Sequence, residues 1–312
     1  MSWASERNSE FARANSRDHG TTELFMRVTV VQRSRGFWKS GLFAIVLTSL
    51  AVLANSPVRA GIGGRKVDPE QVVPLNQLSP EHRDVVAEVI RDHTFHRQGE
   101  PDTFPCDGNL YLSLLSEPLV PLSLWKDLSD SPVRLEKVGP NRYDGTDGAG
   151  ATATWEFALR TAPVHVLLAH FNYVSPRGAA RVEARIVLVV RASYVQDTKK
   201  EPFVQHTVDA FVKVDSLGWK TLARTARPVI ERVLEEQVRE AGYFISLMSK
   251  LVVTYPNWAG QVIASQPAID DATKRRFRAV VAQNAKPGAS RGRPIVSQPT
   301  QAQASNADSS RR

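Results

Sequence analysis

One cysteine, Cys106, occurs in 312 residues, so no internal disulfide can form. A single thiol neither demands nor forbids an oxidising compartment. No Gly-x-Ser-x-Gly stretch occurs, which removes the nucleophile elbow of the α/β-hydrolases although Ser, His and Asp are all present. Gly61-Ile62-Gly63-Gly64 has no strand before it and no helix directly after it, so it is not a phosphate-cradling loop. No apolar run reaches the ~20 residues that a membrane-spanning helix needs. No repeat recurs, and no stretch carries a catalytic signature. The sequence describes a kind of object more fully than an activity.

What is present begins with charge. The net charge is +8, but residues 61–271 hold 23 basic and 27 acidic side chains, a net of −4. The basic excess belongs to the ends, which argues against a nucleic-acid partner. At the N-terminal end, Arg33, Arg35 and Lys39 precede an apolar run from Gly41 to Ala54, and Val58-Arg59-Ala60 follows. Basic, apolar and small residues in that order predict a secretory signal over 1–60, cleaved after Ala60, or a membrane anchor if uncleaved. A start at Met26 would give the signal a more ordinary length, and no Arg-Arg pair points to the twin-arginine route. The expected location is periplasmic or extracellular.

Residues 61–80 read as a Gly- and Pro-containing linker. Ser79-Pro80 then opens a short helix with Val85, Val86, Val89 and Ile90 on its apolar side. Thr94-Phe95-His96 suggests a short strand. Leu110 to Leu128 reads as two short helices broken by Pro118 and Pro121. Alternation predicts strands over 133–138, 151–160, 181–194 and 203–214, and 142–144 and 163–173 read as strands between them, separated by Gly-, Pro- and Asp-rich turns.

The last strand is the one the rest is organised around. Val204, His206, Val208, Ala210, Val212 and Val214 share one face; Gln205, Thr207, Asp209 and Lys213 share the other, which reads as wet. Phe203 and Phe211 break that outer pattern and predict another element over them. Asp215 or Ser216 then reads as the cap of a long helix running to Leu251, with a kink near Arg227 because Pro228 lacks a donor. Leu222, Ala226, Val229, Val233, Ala241, Phe244, Met248 and Leu251 form its apolar stripe. Tyr255 to Trp258 reads as the end of the domain, 81–258. A short basic helical segment follows over 259–284, then a disordered basic tail over 285–312 that offers a membrane-surface contact.

Helical residues first, then five to six antiparallel strands, then one long C-terminal helix make an α+β chain whose order of elements, from Phe95 to Val252, resembles the helix-grip fold of the START-like and polyketide-cyclase-like superfamily. The stretch from Cys106-Asp107-Gly108-Asn109-Leu110-Tyr111-Leu112 through Gly139-Pro140-Asn141-Arg142-Tyr143 also looks like that of uncharacterised secreted planctomycete proteins. The superfamily resemblance implies a curved sheet wrapped around the long helix, with a cavity between them for lipids or other apolar molecules. By that analogy Trp155, Phe157, Tyr194, His206 and Val208, with Phe244 and Met248 from the helix, would line the cavity; as plain residues they serve equally as core.

Other candidates carry less. His93, His96 and Cys106 offer three metal ligands without a fourth. Asp144, Asp147 and Gly148 lack the acidic end ligand of a calcium loop and read as turn residues. Glu231, Glu235, Glu236 and Glu240 alternate with Arg232 and Arg239 as surface pairs. The expectation is non-catalytic binding or transport of an apolar small molecule or lipid, with no cofactor and no metal, and with the oligomeric state open. Two alternatives stay open: a cyclase- or hydrolase-like enzyme with His206 as base, and a structural envelope protein whose cavity is filled by its own side chains.

Overall fold

The structure is a computed structural model that describes residues 67–148, 150–174, 181–216, 227–285 and 292–294, without the side chains of 227–233 and 236. These residues fall in the compact unit Ser34–Ile295; the other unit, Met1–Arg33 with Val296–Arg312, is outside the description. The signal, the turn at 175–178, the proposed helix residues Leu222 and Ala226, and most of the tail lie outside it too.

Among the described residues, eight strands form one antiparallel sheet: β1 (Phe95–Gln98), β2 (Asp102–Pro105), β3 (Arg134–Lys137), β4 (Arg142–Thr146), β5 (Ala151–Arg160), β6 (Val164–Val174), β7 (Arg181–Gln196) and β8 (Pro202–Val214). The order is β1-β8-β7-β6-β5-β4-β3, with β2 also on the free edge of β8. The expectation of five to six strands is therefore corrected to eight. The short strand expected at Thr94–His96 is β1, and the addition is β2 on the same edge: the two are one strand interrupted at 99–101, pairing with β8 from Phe95↔Val212 to Pro105↔Phe203. Four-residue pieces are too short for a period-2 signal to show.

The inner face carries Tyr143, Trp155, Phe157, His165, Phe171, Ile186, Leu188, His206 and Val208, each opposite a partner of the same face. Against the β1–β2–β8 end of this face packs α5 (Arg227–Thr254). Leu234, Val238, Gly242, Ile245, Met248 and Val252 run along its buried side at steps of three and four. An antiparallel sheet with a long C-terminal helix against its inner face is the helix-grip arrangement. The described helix begins at Arg227, and the stretch before it, which includes the approach to the kink expected near Arg227, lies outside the described residues. The cap expected at Asp215 or Ser216 concerns residues 217–226, outside the described residues; Arg185 donates to Asp215, and the Glu183 N–H donates to Ser216 Oγ. Both side chains tie the end of β8 to β7.

One end of the inner face is closed by α3 (Gly108–Ser116) and α4 (Leu119–Leu128). Asp107 caps α3 by accepting from the N–H groups of Asn109 and Leu110. The break at Pro118 separates the two helices as expected. The chain does not leave the fold at Tyr255. Pro256 opens α6 (Pro256–Ser265), and α7 (Asp271–Asn284) follows, capped by Asp270. The helical segment read over 259–284 is thus two helices, and Trp258, Ile263 and Phe277 are buried, with α6 packed on α4 and α7 on α3. Within the tail, Arg293 pairs with Asp127 at 2.9 Å and Pro294 is buried; apart from 292–294, residues 286–312 lie outside the described residues.

The outer face is dry only in part: Gln205 and His170 are exposed, while its middle is covered. Over it lies α2 (Pro80–Arg91), capped by Ser79, and Val86, Val89 and Ile90 pack on Val166, Leu168, Val187, Val189 and Phe211. Phe211 thus sits under another element, as its break in the alternation predicted. The segment read as a linker belongs to this layer from residue 67 on. α1 (Pro69–Val72) and a 3-10 turn (Leu75–Gln77) precede α2, and Val73 and Leu78 join the same cluster. Charge fastens it: Glu88 binds Arg185 at 2.8 Å and Lys213 at 2.6 Å, and Arg185 also binds Asp215 at 2.9 Å.

Candidate functional site

β8 sends His206 into the inner space, where its side chain is 2% exposed. Two elements meet its two nitrogens. From α3, the Tyr111 hydroxyl lies 3.1 Å from Nδ1. From β2, Asp102 Oδ2 faces Nε2 at 4.0 Å, too long for a hydrogen bond. Neither Nε2 nor that carboxylate oxygen has a hydrogen-bond partner, and both are buried. Burial holds the His206 pKa below its usual value, with Asp102 pulling the other way. The imidazole is therefore neutral near pH 7. Burial also pushes the Tyr111 phenol up, so it remains an O–H donor. A carboxylate opposite Nε2 favours the tautomer with its proton there, which leaves Nδ1 to accept from Tyr111.

A recess of about 50 Å³ opens beside this pair. Its walls are the β1–β2 bend at 99–101, Asp102 of β2, His206 and Val208 of β8, and Val238, Arg239, Gly242 and Tyr243 of α5. Gly99 and Gly242 let the elements approach. A Cβ on Gly99 would meet Val238 Cγ1 at 2.9 Å, and one on Gly242 would meet His206 Nε2 at 3.3 Å. Tyr243, 52% exposed, stands at the rim.

The other residues read as lining lie apart from this recess. Trp155 and Phe157 are buried in an aromatic group in which Phe157 meets Tyr143 and His165 edge-on. The Arg160 guanidinium lies 3.9 Å from the centre of the Phe157 ring. Phe244 packs edge-on against Trp125, and Met248 is fully buried. Tyr194 is 40% exposed at the end of β7, donating its hydroxyl to the Ala162 carbonyl. Of the seven residues, only His206 and Val208 line this recess. Sequence reasoning missed Tyr111, Asp102 and Gly242. A glycine in the middle of an apolar helical stripe was the signal for the last of these.

The other candidates have structural partners. His93 Nδ1 bonds the Ile90 carbonyl, and His96 stacks on Phe211 at 4.1 Å. Cys106 is buried with its pKa pushed up to about 11, chiefly by desolvation. Among the described residues, no three His, Cys, Asp or Glu side chains are placed to hold a metal ion. Asp147 accepts from the Ala151 N–H in the β4–β5 turn, and Glu235 faces Arg97 at 3.8 Å.

No family model matches the chain, and no curated protein matches it. Solved structures do. A conserved protein from Geobacillus kaustophilus is 14% identical, covering 48% of this chain and 96% of its own, at a TM-score of 0.29. Ara h 8.0201 is 10% identical, covering 49% and 98%, at 0.27. A START superfamily protein from Mycobacterium smegmatis is 12% identical, covering 46% and 97%, at 0.24. The strand order and helix packing described above, rather than these likenesses, define the fold.

Proposed function

We propose that the protein binds a small, mainly apolar molecule without transforming it, at the recess between α5 and the β1–β2–β8 edge. The observation that carries this reading is a neutral, buried His206 whose Nε2 lacks a hydrogen-bond partner beside a recess that Val208 and Val238 flank and Glu100, Arg239 and Tyr243 surround. A polar anchor within apolar walls is the usual make-up of a small-molecule site, although such sites commonly measure about 300–1,000 Å³. The recess is far smaller, so it takes one end of a ligand, and the remainder lies along the rim at Tyr243. The tautomer argument also favours binding over catalysis. With Nδ1 accepting from Tyr111 and Nε2 holding its proton toward Asp102, His206 donates rather than acting as a base.

One observation favours a second reading, a structural protein with a filled interior. Trp155, Tyr143, Phe171 and Met248 are each at most 2% exposed between sheet and helices. A bulky lipid would have to displace them. Native mass spectrometry of the purified protein separates the two readings. A bound small molecule, or saturable binding of an apolar dye, is expected for a binding protein. A clean protein mass with no dye uptake would leave the filled-core reading standing.

We also propose that the protein is exported. This rests on the basic, apolar and small-residue order of residues 33–60 alone.

A further inference from the structure

Glycine is a poor helix former, yet Gly242 lies well inside α5 on its buried side. Alanine there would suit the helix and would place a methyl group 3.3 Å from His206 Nε2. The missing Cβ keeps the recess open at the one point where two buried polar atoms face it unpartnered.

Their chemistry is complementary. His206 Nε2–H offers a donor, because Tyr111 occupies Nδ1. Asp102 Oδ2, 4.0 Å away, offers an acceptor. An occupant between them must accept one hydrogen bond and donate one from a single small atom. A carboxylate has no proton to give Asp102 and is repelled by it. An ammonium has no lone pair for Nε2–H. A hydroxyl does both, and about 50 Å³ admits a hydroxyl with its carbon. Val208 and Val238 flank it, and the exposed Tyr243 ring lies where an alkyl chain would emerge.

We infer that this recess is a hydroxyl-binding subsite: a neutral alcohol enters between Gly99 and Gly242, its oxygen accepting from His206 Nε2 and donating to Asp102. The inference rests on the small-molecule-binding reading and adds the class of ligand to it.

The test uses the full chain with 15N-labelled histidine, titrated with 1-butanol, butylamine and butyrate, which share one alkyl chain. The His206 Nε2 resonance is expected to shift saturably with butanol and to respond about tenfold more weakly to the other two. Gly242→Ala should weaken the butanol response about tenfold while the thermal melt holds or rises. Asp102→Ala provides a second variant with the same expected loss. Equal responses to all three probes, or a butanol response unchanged in both variants, would overturn the hydroxyl subsite and leave the general binding reading intact. No response to any probe would assign the recess to a trapped water and overturn the subsite. The broader reading would then stand or fall on the native mass and dye uptake.

Discussion

His165 and His206 do the same job at two points of the inner face. Each is 2% exposed, and each holds a hydroxyl of α3 at 3.1 Å: Ser116 for His165 and Tyr111 for His206. Burial lowers both pKa values. For His165 the Arg160 guanidinium adds to burial and the value falls to about 4; for His206 the Asp102 carboxylate opposes it. The unfolded chain takes up these protons near pH 6.5, whereas native His165 resists until about 4. Unfolding therefore binds protons in that window. The stability contributed by the neutral ring is complete above pH 6.5 and is lost as the pH falls toward 4, by roughly 3 kcal/mol for His165. His170 shifts in the same direction, chiefly through burial. Urea unfolding at pH 7, 5.5 and 4 should show this fall, and His165→Gln, which keeps a partner for Ser116, should flatten it. A wild-type slope in the variant would remove His165 from the account. A separate, lower window belongs to Glu88, held at about 2 chiefly by hydrogen bonds from Arg185 and then Lys213. Its stability contribution is present above about pH 4.5 and is lost as the pH falls through 2. Its side chain is 41% exposed, so solvent screening leaves that contribution at about 1 kcal/mol.

At the scale of elements, α2 decides whether the sheet has one dry face or two. Ile90 is fully buried in the cluster it forms with Val166, Val187 and Phe211. Ile90→Ala is expected to cost about 3 kcal/mol in urea unfolding, within the 2–5 kcal/mol typical of such truncations. A loss below about 1 kcal/mol would mean that α2 is only loosely seated. The apolar side of α2 and its Ser79 cap are readable in the chain, because both are local patterns. Its partner is not, since nothing local links residues 86–90 to strands some 80 to 120 residues later. Two traces of the covered face were nonetheless present. Phe211 broke the alternation of β8, and β6 runs through Val166-Leu167-Leu168-Ala169 without alternating, as strands buried on both faces do. The extension past Tyr255 was misread for a different reason. Proline stops a helix when it lies inside one, but Pro256 occupies a first turn, where it starts one.

Across the whole molecule, the pattern of strands and the closing helix was legible because periodicity is repeated over many residues. The recess was legible only at His206, a polar side chain in a row of valines. Tyr111 lies 95 residues away from it in sequence, and Asp102 opens a strand of only four residues, so no spacing joins the three. The charge pattern acts at this same scale. Residues 61–271 carry a net charge of −4, and the basic residues gather toward the termini. The proposal of export uses that asymmetry: Arg33, Arg35 and Lys39 would remain on the cytoplasmic side while the fourteen-residue run from Gly41 to Ala54 enters the translocation machinery. The run is too short to serve comfortably as a permanent span of ~20 residues, so cleavage after Ala60 should release a chain beginning at Gly61. Loss of residues 1–60 leaves every residue of the sheet and of α1 to α7 in the mature chain. N-terminal sequencing of protein recovered from outside the cytoplasm should therefore read Gly-Ile-Gly-Gly-Arg. Exported protein that starts at Met1 or Met26 would mean the apolar run is kept as an anchor, and protein confined to the cytoplasm would end the proposal.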